Sequence, residues 1–338
     1  MARQQTIARI LRWLVPLLIS GLVIWLVLHK IDVQVFLQHL GKISWQSLVI
    51  SIFIFFISYA LRSYSWFILL RQKVTYGDAF FTMGVGYLIN NILPFRLGEF
   101  GRAIMLDDSG RITPLEVFSS VIVERILDVF LAALFFLSVL PRVLSSNINQ
   151  NLILIAFFLA IVGLIALFFL AKYRHQVLAW LNKRMGHVRF MRDWLLPKIA
   201  RVLEGFVVLS DPKAFLMAFA SLALSWWLAF IMHYLLFRNF NSQPPFWWMI
   251  FVLSAGAFGA ALPSAPAGLG VYEGVVVASF AVLGVDAEIA LTHAILTHAI
   301  SFLFSNLIGL IGLRRRGEAL AGFVKRVLKR SPGTTEIM

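Results

Sequence analysis

Apolar runs long enough to cross a bilayer alternate along this chain with short polar or basic stretches, and two of the runs are interrupted by glycine and proline. The first run, Trp13 to Leu28, follows Arg3, Arg9 and Arg12 and ends in His29-Lys30 without a small-residue cleavage motif. It reads as an uncleaved span rather than a signal peptide. Further spans are expected at about 48–70, 115–140, 152–171, 214–237 and 289–313. The interrupted elements cover 79–106 and 246–284. The first contains GVGYLINNILPFRLGEFGR (84–102) and the second GAFGAALPSAPAGLGVYEG (256–274). Each has a Leu-Pro, then glycines, then a glutamate: Pro94, Gly98 and Glu99 in one; Pro263, Pro266, Gly268, Gly270 and Glu273 in the other. Proline lacks the amide donor and disfavours helix at the residue before it. Irregular backbone at membrane depth survives only where protein or a water-filled cavity satisfies it.

The pattern predicts an all-α polytopic membrane protein of six spanning helices plus two Pro/Gly-broken elements. Each element is a re-entrant hairpin or a pair of spans, giving up to ten transmembrane segments. The whole chain, 1–338, is expected to be one membrane domain. Residues 172–213 interleave Lys172, Arg174, Lys183, Arg184, Arg189 and Arg192 with Trp180, Phe190 and Trp194, the composition of an interfacial amphipathic connector. The basic tail, 314–338, begins with Arg314, Arg315 and Arg316, and its stretch from Glu318 to Arg330 reads as a helix lying on the membrane surface. Basic loops mark the cytoplasmic side. The N-terminus, the 71–73 turn, the 172–213 connector and the tail are rich in Lys and Arg, so both termini are expected in the cytoplasm. On that topology 48–140 and 214–313 have opposite orientations, an inverted repeat of the kind secondary transporters use. The 169-residue offset between Pro94 and Pro263 also relates Glu124 to His293 and Asp128 to Thr297.

Composition agrees. Of 338 residues 60% are hydrophobic and 14% charged, and the mean hydropathy is +0.85, whereas soluble domains are nearer half apolar and a quarter charged. The absence of cysteine excludes disulfides and thiolate chemistry. The net charge of +14 sits beside apolar spans, so it points to orientation and an anionic membrane surface rather than to nucleic acid.

The candidate chemistry lies in polar residues at membrane depth, where an ionised group costs ~2.5–3.5 kcal/mol even on the lenient insertion scale. Ser120, Glu124, Asp128 and Ala132 form one helical stripe, and His293, Thr297, Ser301 and Ser305 another. Arg125 is placed to pair with Asp128, and Arg62 with Glu124 or Asp128. These residues form a proton relay or an ion-pair cluster. Arg96 and Arg102 flank Glu99 and have the geometry to hold a phosphate, unless they only snorkel at the interface. Asn90 and Asn91 serve either the broken backbone or a substrate, and Ser264 and Glu273 complete the candidate substrate contacts. His233 reads as interfacial. His293 and His298 do not share a helical face, so no metal site is expected, and no cofactor.

At these residues a family becomes visible. NNILPFRLGEFGR, VIVERILDVF and LPSAPAGLGVYEG resemble the flippase-like membrane region of the lysylphosphatidylglycerol synthase family. The resemblance spans about residues 10 to 315. It implies a multi-pass protein of a bacterial or archaeal cell membrane that moves phospholipids or lipid-linked molecules. Its motif positions here are Asn91, Pro94, Arg96, Gly98, Glu99, Arg102, Glu124, Arg125, Asp128, Pro263, Pro266, Gly268, Gly270 and Glu273. No soluble synthase domain follows in this sequence, so synthase activity is not implied. The leading expectation is a flippase working by alternating access and not driven by ATP, since no Gly-x4-Gly-Lys-Ser/Thr motif occurs. The alternatives are an intramembrane enzyme acting on a lipid or polyprenyl carrier, and a scaffold of a lipid-synthesis complex. The oligomeric state stays open, a homodimer included.

Overall fold

In the computed structural model, the described residues are 20–26, 32–93, 96–107, 110–143, 172–185, 187–197, 211–259 and 264–330, with scattered positions (18, 29, 155, 158, 161–163, 165, 166, 168–170 and 200). Pro94, Pro263 and the 147–151 loop lie outside them, as does half of each of the expected spans at 13–28 and 152–171. Among the described residues the fold is helical, without strands.

Eleven helices carry the argument: α1 (Val33–Gly41), α2 (Trp45–Leu69), α3 (Tyr76–Ile92), α4 (Gly98–Asp107), α5 (Pro114–Val143), α6 (Arg174–Met185), α7 (Pro212–Phe237), α8 (Trp247–Gly259), α9 (Val271–Val282), α10 (Ala287–Arg315) and α11 (Leu320–Arg330). Among the described residues, α2, α5, α7 and α10 are the four single helices long and apolar enough to cross a membrane. A fifth candidate joins Ile161–Leu170 to α6 through an 81° bend. Helix starts follow side-chain caps: Ser44 accepts from the amide of Ser47, Thr75 from Asp78, and Asp211 from Lys213 and Ala214.

The two broken elements are helical hairpins. α3 ends at Leu93, whose backbone is extended, as the residue before a proline prefers. α4 then folds back along α3. Gly98 lies so close to Gly86 that a Cβ on it would stand 1.8 Å from the Gly86 carbonyl oxygen, and Arg102 reaches the same glycine. The second hairpin turns through the 3₁₀ segment Pro266–Gly268, where Ala267, Gly268 and Gly270 all have positive φ, and Gly259 packs against Val275 across it. None of α3, α4, α8 and α9 exceeds 17 residues, about 26 Å at most, short of a hydrocarbon core ~30 Å thick.

Tertiary contacts fix the two ends of the bundle. At one end Arg316 pairs with Asp78 at 2.8 Å, Lys73 with Glu116 at 2.5 Å, and Arg330 with Asp107 at 3.2 Å. The α2–α3 turn, the end of α4, the start of α5 and the end of α10 therefore share that basic end. At the other, the Ser44 amide donates to Asn239 and that of Asp32 to Glu288. The start of α2, the end of α7 and the start of α10 meet there. The packing partners are α2 with α7, α3 with α10, α5 with α8, α4 with α5 and α9 with α10.

One expectation changes. The tail helix α11 does not present its apolar face to lipid. Phe323 and Val327 are buried against the first hairpin, in a cluster with Ile89, Ile104 and Met105. A basic amphipathic helix covers whichever apolar surface is nearest, and the open side of α4 supplies one.

Candidate functional site

The stripe on α5 is the centre of a buried ionic network. Glu124 has no exposed surface, and Asp128 and Arg102 are also buried. Arg102 comes from the short helix α4 and donates from Nη1 to Glu124 Oε2 at 2.6 Å. Its guanidinium lies 4.9 Å over the Trp66 ring and 5.5 Å from Tyr87, a stacked geometry that suits arginine. Arg62 of α2 binds Asp128 and stands 3.6 Å from Glu124. Arg125 reaches Glu124 (3.4 Å), Asp128 (3.6 Å) and Glu99 (3.8 Å). Trp226 of α7 donates to Asp128 at 3.1 Å. Three arginines thus meet three carboxylates, and each fully buried charge has an opposite partner, as burial demands.

The second half pairs histidines where the first pairs ions. His293 on α10 is buried and hydrogen-bonded to His233 on α7 at 3.0 Å. His233 is therefore a core residue, not an interfacial one: the ring faces the bundle, with Phe237 and Phe280 against its partner. Thr297 donates back to the His293 carbonyl and meets the Tyr272 hydroxyl at 3.0 Å. Glu273 caps the start of α9 through the Gly270 amide (2.7 Å) and binds His298 Nδ1 at 2.5 Å. The other ring nitrogen of His298 faces the Ala267 carbonyl at 3.1 Å.

Each hairpin thus has a glutamate in the first turn of its returning helix, paired with a basic residue on the next long helix: Glu99 with Arg125, Glu273 with His298. Asn90 spends its side-chain oxygen on the Gly98 amide at 2.7 Å, so it serves the broken backbone. Asn91 donates to Asn306 of α10 at 2.8 Å. Arg96 is exposed, has φ of 54°, and lies within electrostatic reach of Glu99 and Arg125. Ser264 is half-buried beside the second hairpin's turn.

Between α2, α3 and α10 lies a cavity of about 260 Å³. Its polar lining is Ser58, Arg62, Asn91, His298, Ser301 and Ser305. Phe55, Tyr59, Tyr87 and Phe302 supply aromatic walls. One basic side chain comes from each half of the chain, Arg62 and His298, and their carboxylate partners Asp128 and Glu273 are outside the lining. Of the expected site residues, Arg62 and Asn91 line this space, as do Ser301 and Ser305 of the expected stripe on α10. Glu124, Asp128, Arg125 and Arg102 hold Arg62 in place from the side. His298, Asn306, Trp66 and Trp226 were not expected to contribute; their sequence neighbourhoods carry no break or charge cluster that singles them out.

A family model described as the lysylphosphatidylglycerol synthase transmembrane region matches residues 13–309. A UPF0104 membrane protein of Methanothermobacter thermautotrophicus is 25% identical over 256 residues, covering 70% of this chain and 75% of that protein. A UPF0104 membrane protein of Pyrococcus horikoshii is 26% identical over 243 residues, covering 67% and 72%. No solved structure matches.

Proposed function

Because the chain belongs to the family of the lysylphosphatidylglycerol synthase transmembrane region, a family of multi-pass membrane proteins, we propose that it carries an amphiphile between the leaflets of a prokaryotic cell membrane. The observation that carries this reading is the cavity, where a basic side chain from each half, Arg62 and His298, faces one small polar space walled by aromatics. A head group enters that space while its acyl chains remain in lipid. The role of Arg102 and Glu124 is to brace Arg62, not to touch the passenger.

The helix pairings support an inverted repeat. Exchanging α2 with α7, α3 with α8, α4 with α9 and α5 with α10 turns the α3–α10 contact into α8–α5 and the α4–α5 contact into α9–α10, and leaves α2–α7 unchanged; all of these contacts occur. The shared ends give the two sets opposite directions. With the basic end in the cytoplasm, the hairpins re-enter from opposite faces, and the turn Pro266–Gly268 reaches α3. Rocking of one half against the other about α2 and α7 would expose the cavity to each leaflet in turn. No nucleotide-binding motif is present, so a lipid or ion gradient supplies the direction.

The test is a leaflet assay in liposomes carrying acyl-labelled fluorescent lipid, bleached from outside by dithionite. Protein-free vesicles lose about half the signal, the share of one leaflet; vesicles with this protein are expected to lose nearly all. Loss stopping at half for every lipid tried, with and without a proton gradient, would remove the transport reading.

A further inference from the structure

We infer that His233 and His293 form a proton-binding site, and that uptake of a proton there is coupled to movement of the passenger. The coupling rests on the transport reading; the site stands on its geometry. His233 Nδ1 and His293 Nε2 lie 3.0 Å apart. One of these nitrogens carries a proton and the other a lone pair, whichever tautomers are present. The pair therefore has room for one further proton. An imidazolium donates to the neutral ring beside it, whereas two imidazoliums would turn N–H against N–H. A histidine kept for packing alone is ordinarily satisfied at both nitrogens. His293 is not: its residue has no exposed surface, and its Nδ1 is buried without a hydrogen-bond partner. Nothing on that side fixes the tautomer.

The surroundings make the charge conditional. Phe237 of α7 and Phe280 of α9 stand perpendicular to the His293 ring, at 5.4 and 5.5 Å. α2 and α8 bring apolar side chains to this part of the bundle, Ile52 and Met249 among them. The titratable groups toward the pair are one step removed. Tyr272 of α9 is reached through the Thr297 hydroxyl that bonds the His293 carbonyl, and the Glu273–His298 pair lies beyond it. On the other side Glu288 of α10 accepts from the Asp32 amide. A buried charge without a partner is costly, and the cost falls once water reaches the rings. A proton affinity that differs between two conformations is what coupling requires. The position suits that role. His293 lies about 9 Å into α10 and His233 about 6 Å from the end of α7, at the end of the bundle away from the basic loops. The pair also ties α7, which packs on α2, to α10, which packs on α3. The 169-residue offset places His293 where the first half has Glu124. One half is fixed there by ions, the other by a bond that a proton changes.

The experiment reads lipid transfer and proton entry together, in vesicles that hold a trapped pH-sensitive dye. Transfer of a short-chain fluorescent phospholipid is followed by its extraction into serum albumin, with and without acid outside. Wild type is expected to transfer lipid about 10-fold faster under the gradient, with acidification of the interior. His233→Gln/His293→Gln keeps a hydrogen bond between the helices and removes both rings; it must lose the gradient response and the proton entry. His293→Asn alone must do the same, so the result does not hang on the folding of the double variant. His175→Gln, exposed on α6, must keep both. A merely structural pair would lower thermal stability in detergent and leave the gradient response of the folded protein unchanged, which overturns the inference. So does wild-type transfer that is indifferent to the gradient and moves no protons, and that result leaves transport intact. Proton entry that needs the pair, with no lipid moved, keeps the site and removes the lipid as passenger. Movement of neither removes both readings.

Discussion

Arg102 and Glu124 show what a charge at membrane depth requires. Each is almost without exposed surface, and they share a 2.6 Å bond with Trp66 and Tyr87 stacked on the guanidinium. Glu124→Gln leaves Arg102 buried beside a neutral amide, at a cost of about 3–5 kcal/mol. The expected result is a large drop in thermal stability in detergent; stability equal to wild type would mean the pair is solvated. Glu99→Gln is the contrast. Its side chain is 23% exposed and 3.8 Å from Arg125, so it should cost less than about 1 kcal/mol on the same measurement. The sequence could single out these residues because charges inside an apolar run are costly and therefore conspicuous. It could not tell which acid meets which arginine, since Arg62 is 62 and 66 positions from Glu124 and Asp128 and the pairing depends on how α2 rotates against α5. His298 was weighed only as a metal ligand, and its pairing was not legible for a related reason: its partners Glu273 and Ala267 are 25 and 31 residues away, across a turn.

At the scale of elements, the broken stretches were legible as breaks, because glycine and proline act locally. That they close as hairpins was not, because closure depends on two backbones touching. Gly98 is where they touch in the first hairpin. Gly98→Ala puts a methyl group into the Gly86 carbonyl, so the hairpin must open or shift; a strongly destabilised or misassembled protein is expected by size-exclusion chromatography and thermal melting. Gly322→Ala, on the exposed side of α11 with open space around it, should instead be neutral or stabilising by up to about 1 kcal/mol. The tail helix was legible as amphipathic, but its partner was not, since an apolar face does not say what covers it. Phe323 is fully buried against the first hairpin. Phe323→Ala should undock α11 by up to about 3 kcal/mol, seen as trypsin cutting at Lys325 to Arg330 up to about 100-fold faster. An unchanged cleavage rate would show that α11 is held by its ion pairs alone.

For the molecule as a whole, the apolar runs announced the long helices α2, α5, α7 and α10, whose apolar composition and length are properties of single segments. The cavity is a property of none of them. It forms where α2 of one half meets α10 of the other beside α3; Ser301 and Ser305 could be placed on one polar stripe of α10 from the sequence, but not the helices that the stripe faces. The measurement that bears most directly on the passage of a head group through this space uses the natural absence of cysteine. Ser301→Cys introduces one thiol into the cavity, and Gly322→Cys one on the exposed face of α11. Both proteins go into the leaflet assay before and after reaction with a small anionic thiol reagent. Blocked lipid transfer after labelling at position 301, with position 322 unaffected, is the expected outcome. Full transfer by the protein labelled at position 301 would contradict passage through the cavity and send the head group elsewhere on the molecule.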